Sequence, residues 1–197
     1  MDILLIRHGQ SVANVKKLLI STDQDGLTEE GKSQSVRLRH TLAEMKLSPS
    51  LVYCSPWRRA RETAEILFDD VDDIMFDGRL AETHPGIYGS WLEADFNAKF
   101  PAFNKEIRNS YEGGESHYDM TNRVNAWLES EVRPRVGTDG ILAAVAHGGP
   151  ISAALQHLLQ IPVESHYPSF TVPNASFTFL KWRGDLNRYC AVQVGHI

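Results

Sequence analysis

Met1-Asp2-Ile3-Leu4-Leu5-Ile6-Arg7-His8-Gly9-Gln10 decides how this chain is read. The apolar run Ile3-Leu4-Leu5-Ile6 is too short for a stable helix and stops abruptly in a cation, an imidazole and a residue without a side chain. It therefore predicts a strand buried on both faces, as in a parallel sheet. Such a strand delivers Arg7 and His8 to the mouth of the sheet. Far along the chain, Ile141-Leu142-Ala143-Ala144-Val145-Ala146 ends the same way, in His147-Gly148-Gly149-Pro150. Binding crevices of open α/β sheets lie at the carboxyl ends of strands, so the two histidines are expected to meet in one site. A single histidine after a strand is more often a capping or structural residue; the repetition is what singles these two out.

Outward from these stretches, further strands are predicted at Leu51-Val52-Tyr53-Cys54-Ser55, Ile74-Met75-Phe76, Phe177-Thr178-Phe179-Leu180-Lys181-Trp182 and residues 188–192. A helix is expected over residues 28–46, with Thr28 as N-cap, Glu29 and Glu30 in its first turn and Ser48-Pro49 as its stop. Others are expected over residues 57–68, 117–133 and 151–159. Pro101 divides residues 91–110 into two short helices. Residues 69–73 form an acidic run that lacks calcium-loop spacing and is read as a solvated loop. Strands alternating with helices give the α/β class: a three-layer α/β/α domain over residues 1–197, with a mostly parallel central sheet.

The chain has 197 residues, 42% hydrophobic and 23% charged, as in an ordinary soluble globular protein. A formal net charge of −5 argues against nucleic acid or a membrane surface as partner, because both require a basic face. Any anion site must then be a local concentration of arginine. Cys54 and Cys190 lie outside any metal or redox spacing and are expected to be small buried hydrophobes. No metal or cofactor motif is present. With no basic leader and no apolar run of membrane-spanning length, a cytoplasmic location is the expectation. Oligomeric state is left open.

The arginines are in Ser55-Pro56-Trp57-Arg58-Arg59-Ala60-Arg61, just where a helix should begin. Cations are unfavourable at that end of the helix dipole unless an anion binds nearby. A basic face paired with Glu62 or Glu65 would be the plain alternative. Placed beside Arg7, His8 and His147, the cluster suits a phosphate, whose oxygens accept bidentate hydrogen bonds from guanidinium.

Taken in order, the motifs resemble the histidine phosphatase superfamily, also called the phosphoglycerate mutase-like family. They are Leu5-Ile6-Arg7-His8-Gly9-Gln10-Ser11 with Asn14, Leu27-Thr28-Glu29-Glu30-Gly31 with Gln34, and Ser55-Pro56 with Arg59-Ala60 and Thr63-Ala64. Leu80 and Glu82 with Gly86, Gly114-Glu115-Ser116 with Arg123, Ala146-His147-Gly148-Gly149 and Pro173-Asn174-Ala175-Ser176 complete the set. An Arg-His-Gly triplet alone is a weak signal; the ordered set is specific.

The resemblance implies a phosphoglycerate mutase-like fold, His8 as a nucleophile that becomes phosphohistidine, and Arg7, Arg59 and His147 as ligands of the phosphoryl oxygens. It implies Glu82 as the acid that protonates the leaving oxygen and then activates water, with a surface pair to Arg79 as the plain alternative. Asn14 matches a phosphate-contacting amide, and Gly148 lies in the matched second-histidine motif. Many members carry a small hydroxyl residue at the position of Ile20, so Ser21 or a backbone amide is expected to substitute. Glu115, Ser116 and Arg123 match too but are equally compatible with a structural role. No metal is needed.

The implied function is a metal-independent phosphomonoesterase acting on a small phosphorylated metabolite. After Glu82 the chain reads Thr83-His84-Pro85-Gly86-Ile87-Tyr88-Gly89, without the Arg, Tyr-Gly and downstream lysine by which phosphoglycerate mutases hold the substrate carboxylate. A mutase is thus the weaker alternative; a protein phosphatase and a non-catalytic phosphate-binding module are others. The resemblance further implies a lid-type insertion at about 87–113, between the acid and Gly114; its aromatic residues Tyr88, Trp91, Phe96, Phe100, Phe103 and Tyr111 are expected either to contact the leaving group or, for at least half of them, to pack the insertion onto the domain.

Overall fold

The computed structural model describes residues 1–69, 73–162 and 170–197. Its six strands are β1 (Asp2–Arg7), β2 (Leu51–Cys54), β3 (Ile74–Phe76), β4 (Ile141–Ala146), β5 (Phe177–Arg183) and β6 (Arg188–His196). They form one sheet in the order β3-β2-β4-β1-β5-β6. Pairings across β3, β2, β4 and β1 are parallel, while β5 runs antiparallel to both β1 and β6.

The central strands are apolar throughout because both of their faces are covered. Ile3 and Leu5 of β1 and Leu142 and Ala144 of β4 pack with Met120, Val124, Trp127, Ile151 and Leu155. These come from α5 (His117–Trp127) and α6 (Gly148–Leu158). The alternate residues Leu4, Ile6, Val52, Cys54 and Val145 face Leu38, Leu42, Ala60, Ala64 and Leu67, supplied by α2 (Glu29–Glu44) and α3 (Arg58–Leu67). The three layers follow directly from this two-sided burial.

Local signals act as expected at several ends. Thr28 caps α2 by accepting from the Gly31 N–H, and the short α1 (Val12–Lys16) starts in a reciprocal Ser11–Asn14 capping box. Helix α6 begins at Gly148 rather than Ile151, because Pro150 sits in its first turn, where a missing N–H costs no helical bond. Past Trp127, the helix expected to reach residue 133 continues as a π turn over Leu128–Val132 and a 3-10 turn over Arg133–Arg135. Strand β6 extends to His196. Cys54 is buried, but Cys190 is only half-buried, since β6 forms the sheet edge and has no strand beyond it. Of the acidic run, residues 70–72 lie outside the described residues; Asp69 pairs with Arg39 at 2.6 Å.

Pro101 does divide the insertion: α4 (Glu93–Lys99) precedes it and a 3-10 turn over Phe103–Lys105 follows. All six aromatic residues of the segment, together with Leu19 and Ile20, form one small core of their own. Among the described residues, no helix is long and apolar enough to cross a membrane.

Candidate active site

His8 follows the last residue of β1 and is 2% exposed. Its main chain is fixed from two sides, by its N–H to the Ala146 carbonyl and by the Ala175 N–H to its own carbonyl. Ring Nδ1 lies 2.7 Å from the Gly9 carbonyl. An oxygen acceptor requires a proton on Nδ1, so Nε2 carries the free lone pair. Arg59 donates to that Nε2 from its Nε at 3.1 Å. Burial, reinforced by the Arg59 and Arg7 charges, holds the His8 pKa well below the ordinary histidine range against the opposing bond to Gly9. His8 is therefore a neutral imidazole at neutral pH.

Helix α3 separates its three arginines. Arg58 pairs with Glu62 at 2.7 Å on the surface, and Arg61 lies over the Phe76 ring. Arg59 points inward and is 3% exposed. Its Nη1 donates to the Thr22 carbonyl at 3.0 Å, and its guanidinium stacks 4.6 Å from the centre of the Trp57 ring. Burial lowers its pKa to about 10, with the Glu82 charge opposing the shift, so it remains a cation. The plain surface-pair alternative thus describes Arg58 and fails for Arg59.

His147 is fully buried, its ring 5.0 Å from that of His8. Its Nε2 lies 2.8 Å from Ser55 Oγ, and its Nδ1 is buried without a hydrogen-bond partner among the described residues. Burial and the nearby Arg59, His8 and Arg7 hold its pKa well below the ordinary range. Arg7 donates to the Val172 carbonyl from Nη1, and its guanidinium lies over Gly148, at the start of α6.

Glu82 joins this group through α6: its Oε2 accepts from the Gly149 N–H at 3.3 Å and its Oε1 from the Thr83 N–H at 2.9 Å. Arg79 takes no part, pairing instead with Asp77 and Glu131. The Glu82 main chain is held by Arg123, which donates to the carbonyls of Arg79, Ala81 and Glu82. Arg123 also makes two bonds to Glu115, and Glu115 Oε1 accepts from the His84 N–H. The peptide units on both sides of the acid are therefore clamped.

A model of the histidine phosphatase superfamily (branch 1) matches residues 3–193. The chain belongs to the histidine phosphatase superfamily. Among its relatives, a glucosyl-3-phosphoglycerate phosphatase of Mycolicibacterium vanbaalenii is 30% identical over 188 residues, covering 90% of this chain and 83% of that one. A 2,3-bisphosphoglycerate-dependent phosphoglycerate mutase of Thermoplasma acidophilum is 32% identical over 189 residues, covering 90% and 85%. The solved structure of a mycobacterial glucosyl-3-phosphoglycerate phosphatase in complex with VO3 superposes with a TM-score of 0.82 at 30% identity, over 100% of this chain and 99% of that one.

Within this member of the superfamily the remaining expected residues take different places. Asn14 is exposed beside the histidine loop, where its Oδ1 accepts from the Ser11 N–H and from Asn174 Nδ2 at 3.1 Å. Gly148 sits against Arg7 at the α6 N-terminus. Ser21 is buried with φ of 87°, between the two residues whose carbonyls receive Arg59. Its N–H donates to the Gly89 carbonyl, so that amide is already used. Ser21, Thr22, Trp57, His84 and Pro85 line a recess of about 300 Å³ beside Arg59.

Several supporting residues were not singled out from the sequence for these roles. Thr63 Oγ1 accepts from the Gly9 N–H at 3.1 Å and donates to the Arg59 carbonyl, tying the histidine turn to α3. Asn174 Nδ2 donates to the His8 carbonyl at 3.2 Å. Thr83 and His117 meet behind Glu82 at 3.2 Å. Thr63 and Asn174 stand in matched motifs, which is the available signal; His117 has none beyond its place at the start of an expected helix. Among the described residues, no group of three or more His, Cys, Asp or Glu side chains is arranged to hold a metal ion.

Proposed function

We propose that this histidine phosphatase is a metal-independent phosphomonoesterase acting on a small phosphorylated metabolite through a phosphohistidine at His8. The observation that carries this reading is the state of His8: a neutral, buried imidazole whose Nδ1–H is fixed on the Gly9 carbonyl and whose Nε2 faces Arg59. A nucleophile for phosphoryl transfer needs a defined lone pair and a cation beside it to hold the phosphoryl oxygens, and Nε2 of His8 with Arg59 answers to both.

In the first step, His8 Nε2 attacks phosphorus and the bond to the leaving-group oxygen breaks, that oxygen taking a proton from Glu82. Charge on the equatorial oxygens is met by Arg7, Arg59 and the His147 ring, all fixed before substrate arrives. In the second, Glu82 takes a proton from water, the resulting hydroxide attacks phosphorus, and inorganic phosphate leaves His8. The His84-Pro85 side of the recess beside Arg59 receives the leaving group, and residues 87–113 act as its lid. The names of the relatives make glucosyl-3-phosphoglycerate the first compound to test.

Phosphoryl transfer of the mutase type is the second reading, because a mutase stands among the relatives at 32% identity, against 30% for the phosphatase. The segment after Glu82 lacks a carboxylate grip, which favours hydrolysis. A phosphoester panel, including 3-phosphoglycerate with catalytic 2,3-bisphosphoglycerate, separates the two. Wild type should release phosphate and give an acid-labile phosphoenzyme by mass spectrometry, and His8→Ala should lose several powers of ten in turnover. Substantial activity in His8→Ala would overturn the mechanism; isomerisation without phosphate release would favour the mutase.

A further inference from the structure

His147 presents an unusual pair of ring nitrogens. Among the described residues, Nε2 has one hydrogen-bond partner, Ser55 Oγ at 2.8 Å, while Nδ1 is buried and has none. Buried imidazole nitrogens are ordinarily satisfied, and an exception marks a place where a ligand completes the bonding. Ser55 is itself fully buried, directly after β2, with its N–H on the Val145 carbonyl. Its hydroxyl already accepts from the Trp57 N–H at 3.3 Å.

The proton count decides between the two tautomers. Were Nε2 the protonated nitrogen, Ser55 Oγ would accept from both His147 and Trp57, and its own buried hydroxyl proton would have no acceptor among the described residues. With the hydroxyl donating to Nε2, that proton is satisfied, and the ring's one N–H lies at Nδ1. The neutrality of His147 follows from its burial beside Arg59, His8 and Arg7.

We infer that Ser55 is a positioning residue for phosphoryl transfer: its hydroxyl fixes His147 in the Nδ1–H tautomer, so that a buried ring nitrogen without a partner is a ready donor to a phosphoryl oxygen. This extends the phosphatase reading above and rests on it for the identity of the acceptor. The opposite tautomer would present a lone pair to an anion and repel it. Ser55 thus acts on the substrate only through His147, as orienting partners of catalytic histidines do elsewhere.

The test uses the wild-type protein first. Long-range 15N–1H NMR, with the His147 resonances assigned by comparison with His147→Gln, should show Nδ1 protonated and Nε2 unprotonated at neutral pH. Adding inorganic phosphate should shift the Nδ1–H signal. A protonated Nε2 in wild type, or an Nδ1–H signal indifferent to saturating phosphate, would overturn the inference. Ser55→Ala should lower kcat on p-nitrophenyl phosphate roughly ten- to a hundredfold, a range usual for partners of this kind, with a smaller change in KM and with the ring nitrogens no longer in a single tautomer. Unchanged kcat and an unchanged tautomer in Ser55→Ala would also overturn it. Because the wild-type spectrum does not depend on turnover, the expected tautomer in a protein that hydrolyses no phosphoester would count against the phosphatase reading alone.

Discussion

Arg59 donates its Nε–H to Nε2 of His8 at 3.1 Å, so the proposed nucleophile and the cation proposed to bind the phosphoryl oxygens are hydrogen-bonded directly to each other. A phosphoryl group entering between them has to replace that one bond by several charge-assisted ones. Arg59→Ala is expected to lower kcat/KM by at least about a hundredfold. Arg59→Lys should recover little, because an ammonium cannot serve His8, the Thr22 carbonyl and a phosphoryl oxygen with one planar fork. Steady-state kinetics on any accepted phosphomonoester decide this; a Lys variant near wild-type rate would contradict it.

The two buried histidines also set a pH dependence of stability. Both have native pKa values depressed well below the ordinary range, first by burial. In the unfolded chain they protonate near pH 6.5. Below that value the unfolded state binds more protons than the native one, so stability falls as pH falls, by up to about 1.4 kcal/mol per pH unit for each histidine. Above it the penalty vanishes. Urea unfolding at pH 7 and pH 5 should show this slope, and His8→Asn should reduce it. An identical slope in His8→Asn and wild type would refute the assignment.

Arg123 and Glu115 are expected to matter through the main chain they hold. Arg123→Met leaves the carbonyls of Arg79, Ala81 and Glu82 without their donor and the Glu115 carboxylate without its counter-charge. The side chains are about one-fifth exposed, which reduces the penalty below that of a fully buried pair. A loss of about 2 kcal/mol in unfolding free energy is expected. Displacement of Glu82 should lower kcat more than it raises KM. Glu115→Gln, which keeps an acceptor for the His84 N–H, should cost less on both measures.

Two glycines near the site are expected to respond in opposite ways. A methyl group on Gly31, in the first turn of α2, would collide with the Gln10 carbonyl, which belongs to the histidine turn. Gly31→Ala should destabilise by about 3 kcal/mol and disturb His8 as well. On Gly148 the same methyl would meet nothing closer than the Arg7 guanidinium, at 3.6 Å. Gly148→Ala should therefore melt close to wild type. Weaker inhibition by inorganic phosphate in that variant would place Gly148 at the bound anion.

Much of this arrangement was legible before any coordinates, for a physical reason. Strands buried on both faces are written as uninterrupted apolar runs, so β1 and β4 declared themselves, and the polar residues ending them could only lie at the sheet's mouth. The separation of Arg59 from Arg58 and Arg61 was not legible without the family pattern, because which side of a helix faces inward at its first turn depends on where the neighbouring sheet lies. The meeting of Thr83 and His117 is not legible in the sequence because it joins a loop residue to the first residue of α5, 34 positions away, which no local periodicity records. The aromatic residues of the insertion left two roles open, contact with a leaving group or packing onto the domain; they pack on one another and on Leu19 and Ile20, as a segment too small to share the main core must.

One hydrogen bond described above has a consequence for assembly. Asn174 donates to the carbonyl of His8 across 166 residues, and the neighbouring Ser176 carbonyl receives the Arg7 N–H. The reactive turn is thus completed by a segment that follows all the described helices in the chain. A chain cut short before Pro173 would still hold Arg59, Glu82 and His147 and lack the bonds that fix the main chain of Arg7 and His8 from the β5 side, so competence for chemistry should require this last segment as well as the four parallel strands.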